Sequence, residues 1–531
     1  SSSSSAAAAA AATTESRSRI GTGVVVMKVH GSKMTLRLPA RVDGGSKSRG
    51  SSPVAAAAAV AGRARSSSPS QRGGSGGERT KTVLNFATHD FLGVASSDDD
   101  STNGGAAAAS AAAASPSGRS RKINFADDSQ EVPSSLSTAS SSATRSTSIT
   151  TKNGTDGAPP SSVKGAARAA LARYGCGSCG PRGFYGTIDA HLDLEDAISD
   201  HMRTEGAIMY SDGASAATST VAAFAKRGDL LIVDEAIYEA LSTGVTLSRA
   251  NVVYFRHNDV EDLRRVLERI RQTDVRLKRK SADQRRFIVV EGLYKNRGTV
   301  PPLDEIVKVK AEYCYRLIVD ESFSFGTLGP NGKGALDHFG LTPMVDAEII
   351  TLSLENSIGS IGGVCVGSEE VVDHQRLSGA GYCFSASAPP FLASAAIASI
   401  QRIKNNPELL ESVRRNRDIM YRTLRGPLMK GVVPSRLDIV SDDLSSMVFL
   451  ELSGREAGEP VEEQIRMLDE IRDRCLRNGV ALVSTGGHVK GHLHDVPPPA
   501  LRLTVSAVHN EEEIRKAAQV LKDAAVHVFG K

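Results

Sequence analysis

Short apolar runs alternate with amphipathic stretches along the chain from about residue 163. The apolar runs are typical of buried strands, and the stretches between them repeat apolar residues at helical spacing. One such helix is predicted to begin at Asn258, because Glu261 follows three residues later in a pattern related to the capping box. Strands are predicted over residues 229–234, 251–254, 287–290, 317–320 and 349–352, with a helix over 235–248. Repeated strand–helix–strand units predict an α/β fold with a mostly parallel sheet covered by helices on both faces.

The pattern changes in the helical stretch around residues 389–425, where we place a domain boundary. Beyond it, strands are predicted over 447–452, 480–484 and 501–506, and helices over 461–478 and 510–526. The sequence therefore predicts a large domain over residues 163–400 and a small C-terminal α+β domain over residues 401–531.

The first 162 residues have a different composition. Residues 1–82 are rich in Ser, Ala and Arg, and such tracts bury too little apolar surface to offset the entropy lost on ordering. We predict a disordered extension over 1–82, a short ordered segment over 83–95 and a disordered insertion over 96–162. The first 80 residues hold twelve basic and three acidic residues, which is typical of an organelle transit peptide. An untargeted extension is the alternative.

Charge and cysteine content exclude several classes of function. The formal net charge is +4, from 64 basic and 60 acidic residues, which gives no indication of nucleic acid as a partner. Six cysteines in 531 residues do not make a disulfide framework and suit a reducing compartment. No apolar run of about 18 residues is present, so no membrane-spanning helix is predicted. Cys176 and Cys179 form a CxxC motif, but no second CxxC accompanies it, so no metal site is predicted.

The densest group of candidate functional residues is the glycine-rich segment 174–186. Its glycines permit backbone conformations closed to other residues and allow a ligand or a second chain to approach closely. Arg182 is suited to pair with an anion, and Phe184 and Tyr185 offer flat surfaces. A tight structural turn is the alternative.

Two other kinds of segment are suited to hold a phosphate or a ring nitrogen. Ser211 and Gly213 precede a predicted helix, whose free N–H groups favour a phosphate; helix capping is the alternative. Ser385 and Ser387, before two prolines, form a similar candidate. Asp320 ends a predicted strand at the edge where ligands bind, and its carboxylate suits a protonated ring nitrogen. An N-cap or a salt bridge is the alternative for Asp320.

These residues, in this order, resemble the α-oxoamine synthase family of pyridoxal-phosphate enzymes. The resemblance covers about residues 163–531, with a short preceding match at 85–93. It implies a fold-type I architecture, with a large α/β domain and a small C-terminal domain. It also implies condensation of an amino acid with an acyl-CoA and release of carbon dioxide, on a cofactor that a lysine holds as a Schiff base.

The lysine of that family is absent here. Catalytic members carry a T-x-x-K-x-x-G-x-x-G-G pattern, and in the matching stretch, residues 353–363, Asn356 occupies the lysine position. An amide nitrogen is not nucleophilic and cannot form a Schiff base. Tyr238 replaces the family's ring-stacking histidine, and residues 320–323 are Asp-Glu-Ser-Phe where the family has Asp-Glu-Ala-His.

Within the family, this combination of kept and lost residues is similar to the lysine-lacking long-chain-base subunits of serine palmitoyltransferases. Segments 179–186, 191–195 and 255–259 carry the similarity. It implies the first step of sphingolipid biosynthesis, in which L-serine and palmitoyl-CoA give 3-ketosphinganine, CoA and carbon dioxide. It also implies that this chain alone is inactive and that a lysine-bearing second subunit, its partner in a heterodimer, holds the pyridoxal phosphate covalently.

The resemblance places the active site at the interface between subunits, so this chain can contribute a loop to its partner's site. The residues expected to do so are Cys179, Gly180, Pro181, Arg182, Gly183, Phe184, Tyr185 and Gly186, with Arg182 as a contact for phosphate or carboxylate. Vestigial or weak cofactor positions are expected at Ser211, Gly213, Tyr238, Asp320, Ser385 and Ser387, and a vestigial substrate-carboxylate contact at Arg502. The resemblance also implies a location at the cytosolic face of the endoplasmic reticulum membrane.

Two other functions stay open. The chain could be an autonomous homodimeric α-oxoamine synthase that uses another lysine, such as Lys295 or Lys333. It could also be a purely regulatory scaffold.

Overall fold

The computed structural model describes residues 25–30, 32–37, 80–87, 89–92, 162–280, 283–486 and 493–530. The strands are β1 (Val25–His30), β2 (Lys33–Arg37), β3 (Thr80–Asn85), β4 (Gly206–Tyr210), β5 (Leu230–Asp234), β6 (Asn251–Phe255), β7 (Arg286–Glu291), β8 (Arg316–Asp320), β9 (Ile349–Ser353), β10 (Gly363–Gly367), β11 (Leu437–Ile439), β12 (Met447–Leu452), β13 (Val480–Ala481), β14 (Val483–Ser484) and β15 (Ala500–Thr504). The helices are α1 (Val163–Tyr174), α2 (Asp189–Met202), α3 (Gly213–Phe224), α4 (Glu239–Ser248), α5 (Val260–Leu277), α6 (Leu303–Tyr313), α7 (Ala335–His338), α8 (Glu369–Ser378), α9 (Ala380–Cys383), α10 (Pro390–Asn405), α11 (Glu408–Arg425), α12 (Val461–Arg477) and α13 (Glu511–Phe529).

A seven-stranded sheet in the order β4-β10-β9-β8-β7-β5-β6 forms the centre of the large domain. Strands β9, β8, β7, β5 and β6 pair in parallel, whereas β10 is antiparallel to both of its neighbours. Every residue of β5, β9 and β10 is buried, as expected for strands with helices on both faces. Two apolar clusters pack against the two faces of the sheet. The predicted α/β class is therefore confirmed.

One predicted helix cap is shifted by a residue. The N-cap of α5 is Asp259, whose side chain accepts a hydrogen bond from the N–H of Asp262 at 2.8 Å. Asn258, the predicted cap, has a φ of 55° and lies outside the helix. A carboxylate and an amide are both good caps, so the local sequence did not distinguish the two neighbours.

The small domain contains a four-stranded antiparallel sheet in the order β11-β12-β15-β14. Helices α12 and α13 pack with it around a separate apolar core that includes Leu468 and Leu521. Helix α11 contributes to both cores, with Val413 in the large-domain core and Ile419 in the small-domain core. The two cores therefore meet within α11, later in the chain than the predicted boundary at residues 400–401.

A third sheet, in the order β1-β2-β3-β13, contains the N-terminal strands. Strands β1 and β2 form an antiparallel hairpin inside the segment predicted to be a disordered extension, so the structure corrects that prediction for these residues. Met34 and Leu36 of β2 pack with Val83 and Ala481, which supply the apolar surface that the tract lacks by itself. Most of the rest of the two segments predicted to be disordered lies outside the described residues. None of the helices in the described part of the chain is long and apolar enough to cross a membrane.

Candidate functional site

Three parallel strands of the central sheet have buried carboxylates at their C-terminal ends, on the same side of the sheet. Asp234, Glu291 and Asp320 end β5, β7 and β8, and each is at most 1% exposed. Burial raises the pKa of Asp320 and raises the pKa of Glu291 well above its usual range. Ligands of open α/β sheets bind at the carboxyl ends of the strands, so this edge is the candidate active site.

Both carboxylate oxygens of Asp320 accept hydrogen bonds from other groups of this chain. The hydroxyls of Thr351 and Tyr238 donate to Oδ2 at 2.6 and 3.3 Å. The N–H of Ser322 donates to Oδ1 at 3.1 Å. Burial, together with the nearby carboxylates, raises the pKa of Tyr238 well above its usual value, so its hydroxyl stays protonated and donates. The Tyr238 hydroxyl therefore donates to Asp320, the carboxylate predicted from the sequence to pair with a protonated ring nitrogen.

Asn356 is buried in the segment that follows β9. Its side-chain NH₂ donates a hydrogen bond to the carbonyl of Ser322 at 2.7 Å. The hydroxyl of the next residue, Ser357, donates to the carbonyl of Phe325 at 2.7 Å. Asn356 thus links the segments that follow β8 and β9, because its side-chain amide is hydrogen-bonded to the backbone.

The N-terminus of α3 lies close to two carboxylates. Asp212 caps the helix with its side chain, and the N–H of Gly213 donates to Oε1 of Glu355 at 3.4 Å. The hydroxyl of Ser211 lies 3.2 Å from Oδ2 of Asp212 and 3.4 Å from the hydroxyl of Ser385. The structure brings Ser211, Gly213 and Ser385 together, but the helix N–H that a phosphate would use is directed at Glu355.

Ser387 anchors the glycine-rich loop instead of joining this group. Its hydroxyl and its N–H both donate to the carbonyl of Gly180 at 3.0 Å. A Cβ on Gly186 would overlap the same carbonyl, so the close approach of residues 180 and 186 within the loop requires glycine at position 186. In this structure Ser387 supports the loop, and its expected role as a weak cofactor position stays a prediction.

Arg182 is buried beneath the loop, with 5% of its surface exposed. Its guanidinium donates two hydrogen bonds to the carboxylate of Glu195 on α2, at 2.9 and 3.0 Å, and its Nε donates to the hydroxyl of Thr187 at 3.0 Å. Glu195 also accepts a hydrogen bond from the N–H of Met209 at 2.7 Å. The anion that Arg182 binds is a carboxylate of its own chain. A contact between Arg182 and the partner's substrate or cofactor stays a prediction.

The outer side of the loop is exposed. Phe184 is 71% exposed and Tyr185 is 91% exposed. Gly183 lies beside the ring of Tyr382, so the loop adjoins the segment that carries Phe384, which is 84% exposed. Large rings exposed on neighbouring segments indicate an interaction surface.

Arg502, on β15, is half-buried close to Ala87 and lies within electrostatic range of His89. Its Nη2 donates to the carbonyl of Ala87 at 3.2 Å, and its Nε has no partner among the described residues. Burial lowers the pKa of Arg502 to about 10. Burial, followed by the charges of Arg502 and Lys295, also holds the pKa of His89 well below its usual value.

The two lysines that the sequence named as alternatives are placed differently. The Nζ of Lys295 lies 5.4 Å from the centre of the Tyr238 ring and forms an ion pair with Glu239 at 2.9 Å. Lys333 instead has Arg203 and Asp337 as its charged neighbours, and burial lowers its pKa. Only Lys295 of these two contacts a residue of the candidate site.

Sequence reasoning missed three residues at the site. Glu355 was the easiest of them to predict from the sequence, because it directly precedes Asn356. Glu195 and His89 lie in segments that contribute to the family resemblance, but their neighbours come from distant parts of the chain. Within the described ranges, no cluster of three or more His, Cys, Asp or Glu side chains is arranged to hold a metal ion.

Comparisons with known proteins agree with this architecture. The model of the family "Aminotransferase class I and II" matches residues 151–521. Long chain base biosynthesis protein 1b of Oryza sativa subsp. japonica is 42% identical over 360 residues, which are 67% of this chain and 71% of that protein. Serine palmitoyltransferase 1 of Dictyostelium discoideum is 40% identical over 363 residues, which are 68% of this chain and 73% of that protein. A serine palmitoyltransferase from S. paucimobilis, solved with bound PLP and myriocin, has a TM-score of 0.60 at 26% identity and covers 70% of this chain and 84% of its own.

The fold and the family match define the class, that of pyridoxal-phosphate-dependent enzymes related to class I and II aminotransferases. Within that class, the chain belongs to the serine palmitoyltransferase family of acyltransferases, whose members support sphingolipid-base biosynthesis.

The residues at this edge do not fit pyridoxal phosphate held as a lysine-bearing family member would hold it. Asn356, at the position that the family resemblance gives to the lysine, offers an amide, which cannot replace the amine that the aldehyde needs. The hydroxyl of Tyr238 already donates to Asp320, and the N–H of Gly213 already donates to Glu355. The carboxylates of Glu355 and Asp212 also oppose a phosphate at the N-terminus of α3, because like charges repel. Groups of this chain therefore already form hydrogen bonds at the positions where the lysine, the cofactor ring and the phosphate would lie.

Proposed function

We propose that this chain is the non-catalytic subunit of a serine palmitoyltransferase and functions beside a lysine-bearing second subunit. The complex condenses L-serine with palmitoyl-CoA to 3-ketosphinganine and releases CoA and carbon dioxide. The observation that carries the proposal is Asn356, which is buried and whose amide is bonded to Ser322 at 2.7 Å. Since an amide supplies no Schiff-base nitrogen, the partner subunit holds the pyridoxal phosphate.

The glycine-rich loop supports a role at an interface. Gly180 and Gly186 hold it in one compact shape, while Phe184 and Tyr185 are directed outward. Exposed aromatic rings on a fixed backbone lose little conformational freedom on binding, which favours association with a second chain. Relatives from Dictyostelium discoideum and Saccharomyces cerevisiae are both named serine palmitoyltransferase 1, which supports the assignment to the first subunit.

Co-expression with a lysine-bearing homologue tests this proposal. We expect the homologue to copurify through a tag on this chain, and 3-ketosphinganine to form only when both chains are present. A matched variant of the homologue, with its Schiff-base lysine replaced by alanine, is expected to copurify without activity. Turnover by this chain alone, or failure of the two chains to copurify, would contradict the proposal.

We also propose that the complex works at the cytosolic face of the endoplasmic reticulum membrane, as the family resemblance implies. Fractionation of cells that express both chains tests this location. Recovery of this chain in a different membrane fraction or an organelle matrix would contradict it.

A second candidate function rests on Lys295. Its Nζ lies 5.4 Å from the Tyr238 ring, the nearest that a lysine named above comes to the candidate site. An autonomous synthase would use this amine to hold the cofactor, at the cost of its ion pair with Glu239. Purified chain mixed with pyridoxal phosphate distinguishes the two functions, because a Schiff base absorbs at a wavelength that the free aldehyde does not. Absorbance that disappears in Lys295→Arg would favour the autonomous enzyme.

A further inference from the structure

The C-terminal end of α5 and the residues on either side of the short gap that follows it form a strongly charged surface, which we name the basic patch (residues 274–280 and 283–286). It contains two acidic residues and six basic ones, namely Asp274, Asp283, Arg276, Lys278, Arg279, Lys280, Arg285 and Arg286. Its formal net charge of +4 equals that of the whole chain. Basic residues therefore outnumber acidic residues three to one in this segment.

Two of the six basic side chains are neutralised locally. Arg286 pairs with Asp274 at 2.5 Å, and Arg285 pairs with Asp229 at 2.8 Å. The other four, Arg276, Lys278, Arg279 and Lys280, are exposed, and no described acidic side chain forms an ion pair with them. A helix C-terminus favours a cation in its last turn, but that effect fades beyond the turn and does not account for the three consecutive cations after it.

Exposed apolar side chains lie among these cations. Val275 is 76% exposed and Leu277 is 50% exposed, on either side of Arg276. Two clefts of about 440 and 480 Å³ border the patch, and Lys278, Arg279 and Arg286 line both. Binding of a soluble polyanion does not require exposed Val and Leu side chains. A bilayer surface, in contrast, presents phosphates that contact the cations and an apolar boundary that contacts Val275 and Leu277.

We infer that the basic patch docks this protein on an anionic membrane surface. Lys278, Arg279 and Lys280 contact lipid phosphates, and Val275 and Leu277 enter the boundary between headgroups and acyl chains. The patch adjoins the start of β7, at the opposite edge of the sheet from the end of β8, where Asp320 lies. Docking therefore leaves the candidate site directed away from the bilayer. The inference does not depend on the proposed subunit function.

Sedimentation of the full chain with lipid vesicles tests the inference. We expect binding to phosphatidylcholine vesicles that contain phosphatidylserine, and little binding to phosphatidylcholine alone. The variant Lys278→Glu, Arg279→Glu, Lys280→Glu is expected to bind the anionic vesicles roughly 100-fold more weakly or worse, because each basic residue near the surface contributes about fivefold. The variant Val275→Ser, Leu277→Ser is expected to lose roughly tenfold.

A matched control reverses three exposed cations elsewhere, Arg415→Glu, Arg422→Glu and Lys430→Glu, and is expected to bind nearly as the original chain does. Thermal unfolding of each variant shows that it folds. Equal loss in the control, or no loss in the patch variant, would overturn the inference. If the Val275 and Leu277 variant binds vesicles undiminished while tripolyphosphate competes for the patch, the surface is a site for a soluble polyanion and the membrane inference is wrong.

Discussion

At the scale of single residues, side chains of this chain form close contacts with one another at the candidate site. Asn356 bonds to the Ser322 carbonyl, Tyr238 bonds to Asp320, and Glu355 accepts the first helical N–H of α3. Each contact gives a buried polar group a partner within the same chain. Replacing one of these residues is therefore not expected to open the cofactor position.

The first prediction follows from this arrangement. Asn356→Lys alone is expected to give no Schiff-base absorbance with pyridoxal phosphate, because Tyr238 and Glu355 still engage the positions of the ring and the phosphate. We expect Asn356→Lys to destabilise the fold by about 1–3 kcal/mol, because the longer lysine side chain overpacks the buried position of Asn356. Absorbance spectra and urea unfolding measure the two effects. Asn356→Met, which has no amine, is the matched control, and strong absorbance in Asn356→Lys alone would contradict the prediction.

The ion pair of Arg182 and Glu195 gives a second prediction at this scale. Both side chains are at most 6% exposed, so Arg182→Ala leaves a buried carboxylate without its cation. We expect a loss of about 3–5 kcal/mol in the free energy of unfolding. The double variant Arg182→Met, Glu195→Gln is expected to recover part of that loss. Chemical denaturation measures both. Unchanged stability with lost activity would instead indicate that Arg182 contacts the partner's substrate or cofactor.

At the scale of elements, the glycine-rich loop is anchored on its inner side by hydrogen bonds from Ser387 and is exposed on its outer side. The prediction is that Phe184→Ser with Tyr185→Ser changes the free energy of unfolding by less than about 0.5 kcal/mol, because both rings are exposed. Affinity for the lysine-bearing partner is expected to fall about tenfold or more. Titration of the partner onto immobilised chain measures the affinity. Val345→Ser, at another exposed apolar residue, is the control, and an equal effect there would contradict an interface role for the loop.

The connection between β8 and α7 depends on a buried carboxyl group. Glu321 accepts hydrogen bonds from the N–H groups of Ala335 and Leu336, at 2.8 and 3.0 Å. Burial raises the pKa of Glu321 from 4.5 to about 7. The folded chain therefore binds this proton more tightly than the unfolded chain does.

Stability linked to that proton is fully present below pH 4.5 and is lost as the pH rises through about 7. We expect the loss to be about 3 kcal/mol over this range. The free energy of unfolding of the original chain should therefore fall more steeply with rising pH than that of Glu321→Gln. Urea unfolding at several pH values measures the difference, and parallel pH profiles would contradict the prediction.

The sequence predicts the central elements well because buried parallel strands are continuous apolar runs between amphipathic helices. It does not reveal that β10 is antiparallel, since burial on both faces leaves no mark of direction. It also misses β1 and β2, because the surface that they pack on comes from Val83 and Ala481. At the site, Asp320 is found at the predicted strand end, whereas the pairing of Arg182 with Glu195 depends on how α2 lies beneath the loop. Periodicity along the chain carries no such information.

At the scale of the whole molecule, we assign separate proposed roles to three surfaces. At the C-terminal ends of the parallel strands, Tyr238 bonds to Asp320 and Asn356 bonds to Ser322. The glycine-rich loop presents Phe184 and Tyr185 to a proposed partner, and the basic patch lies at the opposite edge of the sheet. A chain arranged in this way fits a subunit that positions and completes a catalytic partner.

The most direct measurement locates the cofactor in the working complex. The copurified complex is reduced with borohydride, which fixes pyridoxal phosphate to the lysine that holds it, and the digested peptides are mapped by mass spectrometry. We expect the pyridoxyl label on one lysine of the partner subunit and none on this chain. A label on this chain, at Lys295 or any other lysine, would contradict the proposal that it functions without holding the cofactor.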